Sequence, residues 1–170
     1  MNRFIIFACT LSLTACDSTS VSSDCPAVDG RTTFVVESRE EQDGNSPLHY
    51  AAGTGDLWCV QRLVAKGDDA RAKNRWADTP LHWAALGGHT DVVRFLLRAG
   101  VLIDATSRTG ETALHLAIDK GHLETVRLLL AESADTNIAA ESGETPLDYA
   151  SDRETRVLLI NAGAVKTKLR

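Results

Sequence analysis

Apolar residues recur along this chain at helical spacing, and the whole pattern returns several times at a fixed interval. In one unit, Leu96 and Leu97 follow Val93 by three and four positions, which is the spacing of a buried helical stripe. A shorter segment before it begins at Pro80 and places Leu81 and two alanines on one face. Each unit is therefore predicted to contain a short helix followed by a longer one.

Residues that favour helix ends mark the boundaries of both predicted helices. Thr79 is a favourable N-cap, and proline fits the next position, where a missing N–H costs nothing. Gly87 and Gly88 end the short helix, because glycine tolerates the left-handed conformation of a C-cap. The longer helices are predicted to end at a glycine in three units and at a serine, a weaker stop, in the third. These residues are Gly67, Gly100, Ser133 and Gly163.

A fixed period of about 33 residues indicates a solenoid, in which each unit buries its apolar face only against its neighbours. The segment TPLHWA at 79–84 returns with small changes at 46, 112 and 145, and this pattern resembles the ankyrin repeat. The resemblance implies an all-α solenoid of about four helix-turn-helix repeats with short β-hairpin fingers. The repeats are predicted at residues 41–73, 74–106, 107–139 and 140–164.

The finger turns are predicted to contain a residue with positive φ. Glycine stands there in three repeats, as Gly44, Gly110 and Gly143, and alanine stands there in the second, as Ala77. A left-handed alanine costs about 1–2 kcal/mol. The second finger is therefore expected either to carry strain or to turn differently.

By resemblance to ankyrin repeats, the binding surface is expected on the fingers and the exposed side of the short helices. The candidate partner-binding residues are Gln42, Asp43, Tyr50, Arg75, Trp76, Asp78, Trp83, Arg108, Thr109, Glu111, Asp119, Lys120, Glu141, Ser142 and Glu144. Arg75 and Trp76 are favoured for binding, as interface-prone residue types, over packing of Trp76 on the neighbouring finger. Tyr50, Trp83 and Tyr149 are interpreted equally well as border residues of the surface or as fillers of the stack.

Five histidines stand at positions that the repeat determines, which favours a structural role over catalysis or metal binding. Equivalent helices in adjacent repeats lie about 8–10 Å apart. Zinc–nitrogen bonds are about 2.0–2.1 Å long, so equivalent histidines are not expected to share a metal. The sequence contains no phosphate-binding loop, paired-cysteine metal motif or nucleophile elbow. It predicts no enzyme activity, cofactor or metal site, and the histidines are His49, His82, His89, His115 and His122.

The N-terminus has the pattern of an export signal. One positive charge precedes an apolar run that is too short to span a bilayer, and residues 1–15 are predicted to be a signal peptide. The run ends in Leu-Thr-Ala before Cys16, which resembles a bacterial lipobox and implies acylation of Cys16. The alternative is an ordinary secretory signal. Asp17 resembles the enterobacterial signal for retention at the inner membrane, so a lipid-anchored protein on the periplasmic side is predicted.

The remaining segments outside the repeats are short. Residues 16–25 are predicted to be a flexible polar tether, residues 26–40 an N-terminal cap segment, and residues 165–170 a solvated basic tail. After Cys9 leaves with the signal and Cys16 takes the lipid, Cys25 and Cys59 remain in a compartment where disulfides persist. They are interpreted either as a disulfide or as unrelated thiols.

The charge balance argues against nucleic acid as a partner, because the chain carries a net charge of −5. What remains is protein recognition by a chain that is predicted to be monomeric when free. Some exported bacterial ankyrin proteins resemble immunity or accessory proteins that neutralise secreted enzymes. An inhibitor or immunity role is therefore the first hypothesis. The second is a scaffold for an envelope enzyme, such as an oxidative-stress enzyme. The remote third is that the chain is itself an enzyme.

Overall fold

The structure, a computed structural model, describes residues 43–166. Several predictions concern residues outside this range: the signal peptide, acylation at Cys16, the tether, the cap segment and Gln42. The end of the basic tail also lies outside it. These remain predictions from the sequence.

Eight α-helices form the described part of the chain, two in each of four successive units. Proline or alanine begins every short helix, directly after a serine or threonine N-cap, as the sequence predicts. The helices are α1 (Pro47–Thr54), α2 (Leu57–Lys66), α3 (Pro80–Leu86), α4 (Thr90–Arg98), α5 (Ala113–Asp119), α6 (Leu123–Ala131), α7 (Pro146–Tyr149) and α8 (Arg153–Asn161).

The helices stack in two layers, in which each contacts its partner in the same unit and its equivalents in the neighbouring units. The short helices pack as α1 on α3, α3 on α5 and α5 on α7, and the longer helices follow the same order. Leucines at equivalent positions of successive repeats fill the centre of the stack and are fully buried. Small residues such as Ala52 and Ala85 are also fully buried, and they let successive short helices approach closely. The predicted helical solenoid is confirmed.

The fourth unit differs from the others in ways that suit the end of a solenoid. Helix α7 has four residues where α3 and α5 have seven. In α8, Arg156 stands at the register where Val126 is buried in α6. The Arg156 Nε donates to the Ala150 carbonyl over 2.7 Å. The outer face of the last repeat is therefore closed partly by a polar side chain, as solenoid ends require.

The fingers are tight turns, and no strand occurs between residues 43 and 166. In the third finger the Gly110 N–H donates to the Ser107 carbonyl and the Ser107 N–H donates to the Glu111 carbonyl. The second and fourth fingers repeat both bonds. The predicted β-hairpins are thus not observed in this range, because each arm is only one hydrogen-bonded residue long.

Two residues other than glycine adopt positive φ in the described range. Ala77 has φ 61° at the tip of the second finger, and Ser133 has φ 66° after α6. Gly44, Gly110 and Gly143 occupy the register of Ala77 with φ between 68° and 84°. The second finger therefore turns as the others do and carries the strain of a left-handed alanine.

Replacing Ala77 by glycine is expected to stabilise the protein. The left-handed alanine costs about 1–2 kcal/mol, and the added flexibility of glycine in the unfolded chain offsets part of that gain. Ala77→Gly should raise the free energy of unfolding in urea by about 0.5–1 kcal/mol. Ala99→Gly is the matched control, since Ala99 has φ −75° and its replacement should not stabilise. Equal effects at both positions would contradict the strain at Ala77.

No helix in the described range is long and apolar enough to span a membrane.

Candidate functional site

The four fingers line up along one edge of the solenoid, which we call the finger edge: residues 43–45, 74–78, 107–111 and 140–144. One backbone hydrogen bond joins each finger to the next. The Arg75 N–H donates to the Asp43 carbonyl over 2.9 Å, and the Arg108 N–H to the Trp76 carbonyl over 2.7 Å. The Glu141 N–H donates to the Thr109 carbonyl over 2.8 Å. These bonds fix the spacing of the side chains that the fingers present to solvent.

Asn74 anchors the second finger, a role that the sequence analysis missed. Its side chain is 6% exposed, and its Oδ1 accepts the N–H groups of Trp76 and Asp78, each over 2.9 Å. Its Nδ2 donates to Asn45 Oδ1 of the first finger over 2.8 Å. The sequence offered one indication of this role: asparagine stands at a register where the third and fourth fingers have Ser107 and Ala140. Asn74 therefore holds the fingertip rigid.

The second fingertip presents an aromatic ring beside an arginine, next to a second arginine on the third finger. The Trp76 side chain is 41% exposed, and the Arg75 guanidinium lies 5.8 Å from the ring centroid. The Arg75 Nη1 also contacts Asp43 Oδ1 at 3.5 Å, a weak pair at this exposure. Arg108 is exposed, and its guanidinium makes no ion pair within the described residues. The backbone bond from Arg108 to Trp76 makes the three residues neighbours, and we call Arg75, Trp76 and Arg108 the basic-aromatic cluster.

Apart from Arg108, the charged side chains of the third and fourth fingers are acidic. Glu141 and Glu144 are exposed, and the Ser142 hydroxyl donates to Glu144 Oε2 over 2.9 Å. The Glu111 carboxylate is half-buried and accepts the hydroxyls of Thr109 and Tyr149 over 2.6 and 3.0 Å. The acidic side chains are thus partly ordered by neighbouring hydroxyls, and charge changes sign along the edge.

The large aromatic residues of the short helices pack between repeats. Trp83 lies edge-on to Tyr50, with ring centroids 5.5 Å apart, and contacts the buried core. Its Cε3 leaves no room for a Cβ at Gly53, which would come within 2.8 Å. Tyr149 stacks edge-on against His115, and burial together with the Glu111 hydrogen bond raises the pKa of Tyr149 to about 12. The stack-filling interpretation describes these residues, although Tyr50, Trp83 and Tyr149 all remain partly accessible.

Three other candidate binding residues make hydrogen bonds or an ion pair inside the protein. The Asp78 backbone closes its own finger and its carbonyl accepts from His49 Nε2 over 3.0 Å. Asp119 and Lys120 are both exposed and form an ion pair with each other at 2.8 Å. This pair has no net charge to offer a partner and lies on a short helix, away from the basic-aromatic cluster in sequence.

Histidines join the repeats. In α3, the Thr79 N–H donates to His82 Nδ1 over 3.1 Å, so the ring proton lies on Nε2. That Nε2 donates to the Glu111 carbonyl of the next repeat over 3.2 Å. His89 and His122 bond backwards, to the Gly53 and Leu86 carbonyls, each over 3.0 Å. Each of these histidines therefore bonds to the backbone of a neighbouring repeat.

The last two repeats alter this network. His115 Nε2 is buried and has no hydrogen-bond partner among residues 43–166, although its Nδ1 accepts the Thr112 N–H over 3.1 Å. Asp148 replaces histidine in α7, where its carboxylate accepts both the N–H and the hydroxyl of Thr145. Desolvation by burial lowers the pKa of His49, His82 and His115. The rings are therefore neutral structural groups near pH 7.

Metal and disulfide chemistry were the remaining possibilities raised by the sequence. Residues 43–166 contain no group of three or more side chains able to hold a metal ion. Cys59 is disulfide-bonded, and its partner lies outside the described residues, because Cys59 is the only cysteine within them. The pairing of Cys59 with Cys25 stays a prediction.

Comparison with known proteins agrees with the stacked helix pairs and their fingers. The family described as ankyrin repeats (3 copies) matches residues 30–107 and 99–168. No curated protein matches the chain at a significant level. Because the two matched segments span most of the chain, this protein belongs to the ankyrin-repeat family, whose repeats are protein–protein interaction modules.

Proposed function

We propose that the chain is an inhibitor or immunity protein, lipid-anchored at the periplasmic face of a bacterial envelope, which binds a secreted or periplasmic enzyme through its finger edge. The observation that carries this proposal is the basic-aromatic cluster of Arg75, Trp76 and Arg108. A tryptophan exposed beside two arginines combines the two residue types most enriched at energetic centres of interfaces.

Two features support the envelope location. The N-terminal sequence has the order of a lipoprotein signal, with an apolar run, small residues and Cys16. The disulfide at Cys59 fits an oxidising compartment, since thiols of cytosolic proteins are kept reduced.

The charge pattern of the finger edge restricts the partner surface. Arg108 needs a carboxylate opposite it, because a cation desolvated at an interface without a partner costs binding energy. Glu141 and Glu144 in turn favour a basic residue on the partner. The proposed enzyme therefore offers an acidic and apolar patch next to a basic one.

Trp76→Ala is expected to weaken partner binding about 30-fold, because the truncation removes a central anchor worth about 2 kcal/mol. The partner is first captured from detergent-solubilised membrane extract with the tagged full chain and identified by mass spectrometry. Affinities of the wild type and the variant for the purified partner are then measured by calorimetry.

Trp58→Ala is the matched control, since Trp58 is 47% exposed but lies on α2, outside the finger edge. Equal losses in both variants would contradict recognition at the second finger. Enzyme activity of the partner decides between roles: inhibition by the chain supports an immunity protein, and unchanged or raised activity supports the scaffold.

A further inference from the structure

Helix α2 has a face that points toward the N-terminal end of the solenoid. The register of Cys59 returns in α6 as Thr125, whose hydroxyl lies 3.0 Å from the hydroxyl of Thr90 in the preceding repeat. This register therefore faces the previous unit. For Cys59 there is no previous helix pair within residues 43–166, so another part of the chain must cover this face.

Cys59 and its neighbours carry signs of such a cover. Cys59 is only 2% exposed although it stands at the end of the stack, and it is disulfide-bonded. Arg62, one turn further along α2, lies over the Trp58 ring at 5.4 Å. Its Nε is shielded from solvent yet has no hydrogen-bond partner within the described part of the chain. At the register of Arg62, helices α4 and α6 carry apolar residues, Phe95 and Leu128.

The bonding partner of Cys59 comes from the first 42 residues, which contain all other cysteines of the chain: Cys9, Cys16 and Cys25. We propose that Cys25 pairs with Cys59 and that residues 26–42 are thereby held across the N-terminal face of α2 as the cap of the solenoid. The choice of Cys25 rests on the export part of the proposed function, since Cys9 leaves with the signal and Cys16 takes the lipid.

Chain length and composition suit this cap. Seventeen residues lie between Cys25 and Asp43, and they reach up to about 56 Å when extended. Helix α2, with ten residues, is about 15 Å long. The segment contains the apolar residues Phe34, Val35 and Val36. A segment fixed at both ends, by the disulfide and by the first finger, loses less entropy on docking than a free tail.

The bond forms by oxidation of two thiols. Cys25 and Cys59 together transfer two electrons and two protons to a disulfide oxidant, which is reduced to two thiols. Because the cap ends at Asp43, whose carbonyl accepts the Arg75 N–H, the disulfide also fixes the first finger beside the basic-aromatic cluster.

Peptide mapping of the full chain, purified from membranes without reductant and with free thiols alkylated, tests the pairing. A cross-linked peptide that contains Cys25 and Cys59 is expected. Cys59 alkylated, or linked to Cys9, Cys16 or a second chain, would overturn the proposal. The same map reads acylation of Cys16 separately, so an absent lipid refutes the anchor without refuting the disulfide.

A double-mutant cycle tests whether the bond holds a cap that stabilises the fold. Cys59→Val is well suited, because Val92 fills the same register in α4 and is buried there. Cys25→Ser and Cys59→Val should each lower the ratio of folded to unfolded protein by on the order of 100-fold, and the double variant should lose no more than either alone. Additive losses, or no loss, would show that residues 26–42 are not clamped on α2.

Discussion

Removal of the fourth repeat, by a stop after Thr136, is expected to convert the protein into an aggregating species. The truncation strips α7 and α8 from α5 and α6. It exposes Val126 and Leu129, which are fully buried in the intact chain, and increases the exposure of Leu130. Size-exclusion chromatography and a urea unfolding curve measure the outcome, and a soluble truncation that unfolds cooperatively would contradict it.

A second variant distinguishes the loss of a polar terminal repeat from the loss of chain length. Val126→Arg in the truncated chain copies Arg156, the arginine that stands at this register in the native last repeat. Because a polar outer face is what terminal repeats supply, this substitution should restore much of the solubility. In the full chain the same Val126→Arg buries a charge against the fourth repeat and should destabilise the fold. Opposite effects in the two backgrounds are therefore expected.

Acidification below pH 6.5 is expected to lower the free energy of unfolding steeply. Burial depresses the pKa of His49, His82 and His115 below the ordinary value of 6.5, so the unfolded chain binds more protons than the folded one. Stability is complete above pH 6.5 and falls as the pH drops toward the folded-state pKa values. Each ring contributes at most about 1.4 kcal/mol per pH unit to this slope, so the three rings together give up to about 4 kcal/mol per pH unit.

Urea unfolding between pH 7.5 and 5.0 measures this slope, above the range in which ordinary carboxylates titrate. His82→Asn removes one of the three rings and retains an oxygen that accepts the Thr79 N–H, as the carboxylate of Asp148 does for Thr145 in α7. The variant should be less stable at pH 7.5 and have a slope about one third smaller. An unchanged slope would show that His82 is not protonated on unfolding in this range.

The helical repeat was predictable because the same packing requirement recurs in every unit of the chain. Leu81, Leu114 and their equivalents fill identical holes, so periodicity identifies the core without coordinates. The β-hairpin prediction came from the family pattern, and residues 43–166 do not show it because finger arms with one paired residue form turns. For Ala77 the pattern left two alternatives, and the backbone bonds of the finger edge select the strained turn.

The candidate site was predictable only as a set of variable positions. The repeat pattern identified Arg75, Trp76 and Arg108 only as separate variable positions. They are neighbours because a backbone bond joins the fingers of two successive repeats. Asn74 was missed, since its role depends on partners in two fingers. Tyr50 and Trp83 were ambiguous, since the orientation of a ring on a helix depends on the neighbouring repeat.

The sequence by itself determined the fold class, the helix pairs and the structural nature of the histidines, because each follows from local capping and a repeated apolar stripe. Only the tertiary structure decided which charges are already paired, which aromatic rings are covered, and which fingertip presents an exposed tryptophan beside arginine. Those properties depend on contacts between repeats, and a periodic sequence specifies that repeats meet without specifying what each leaves exposed.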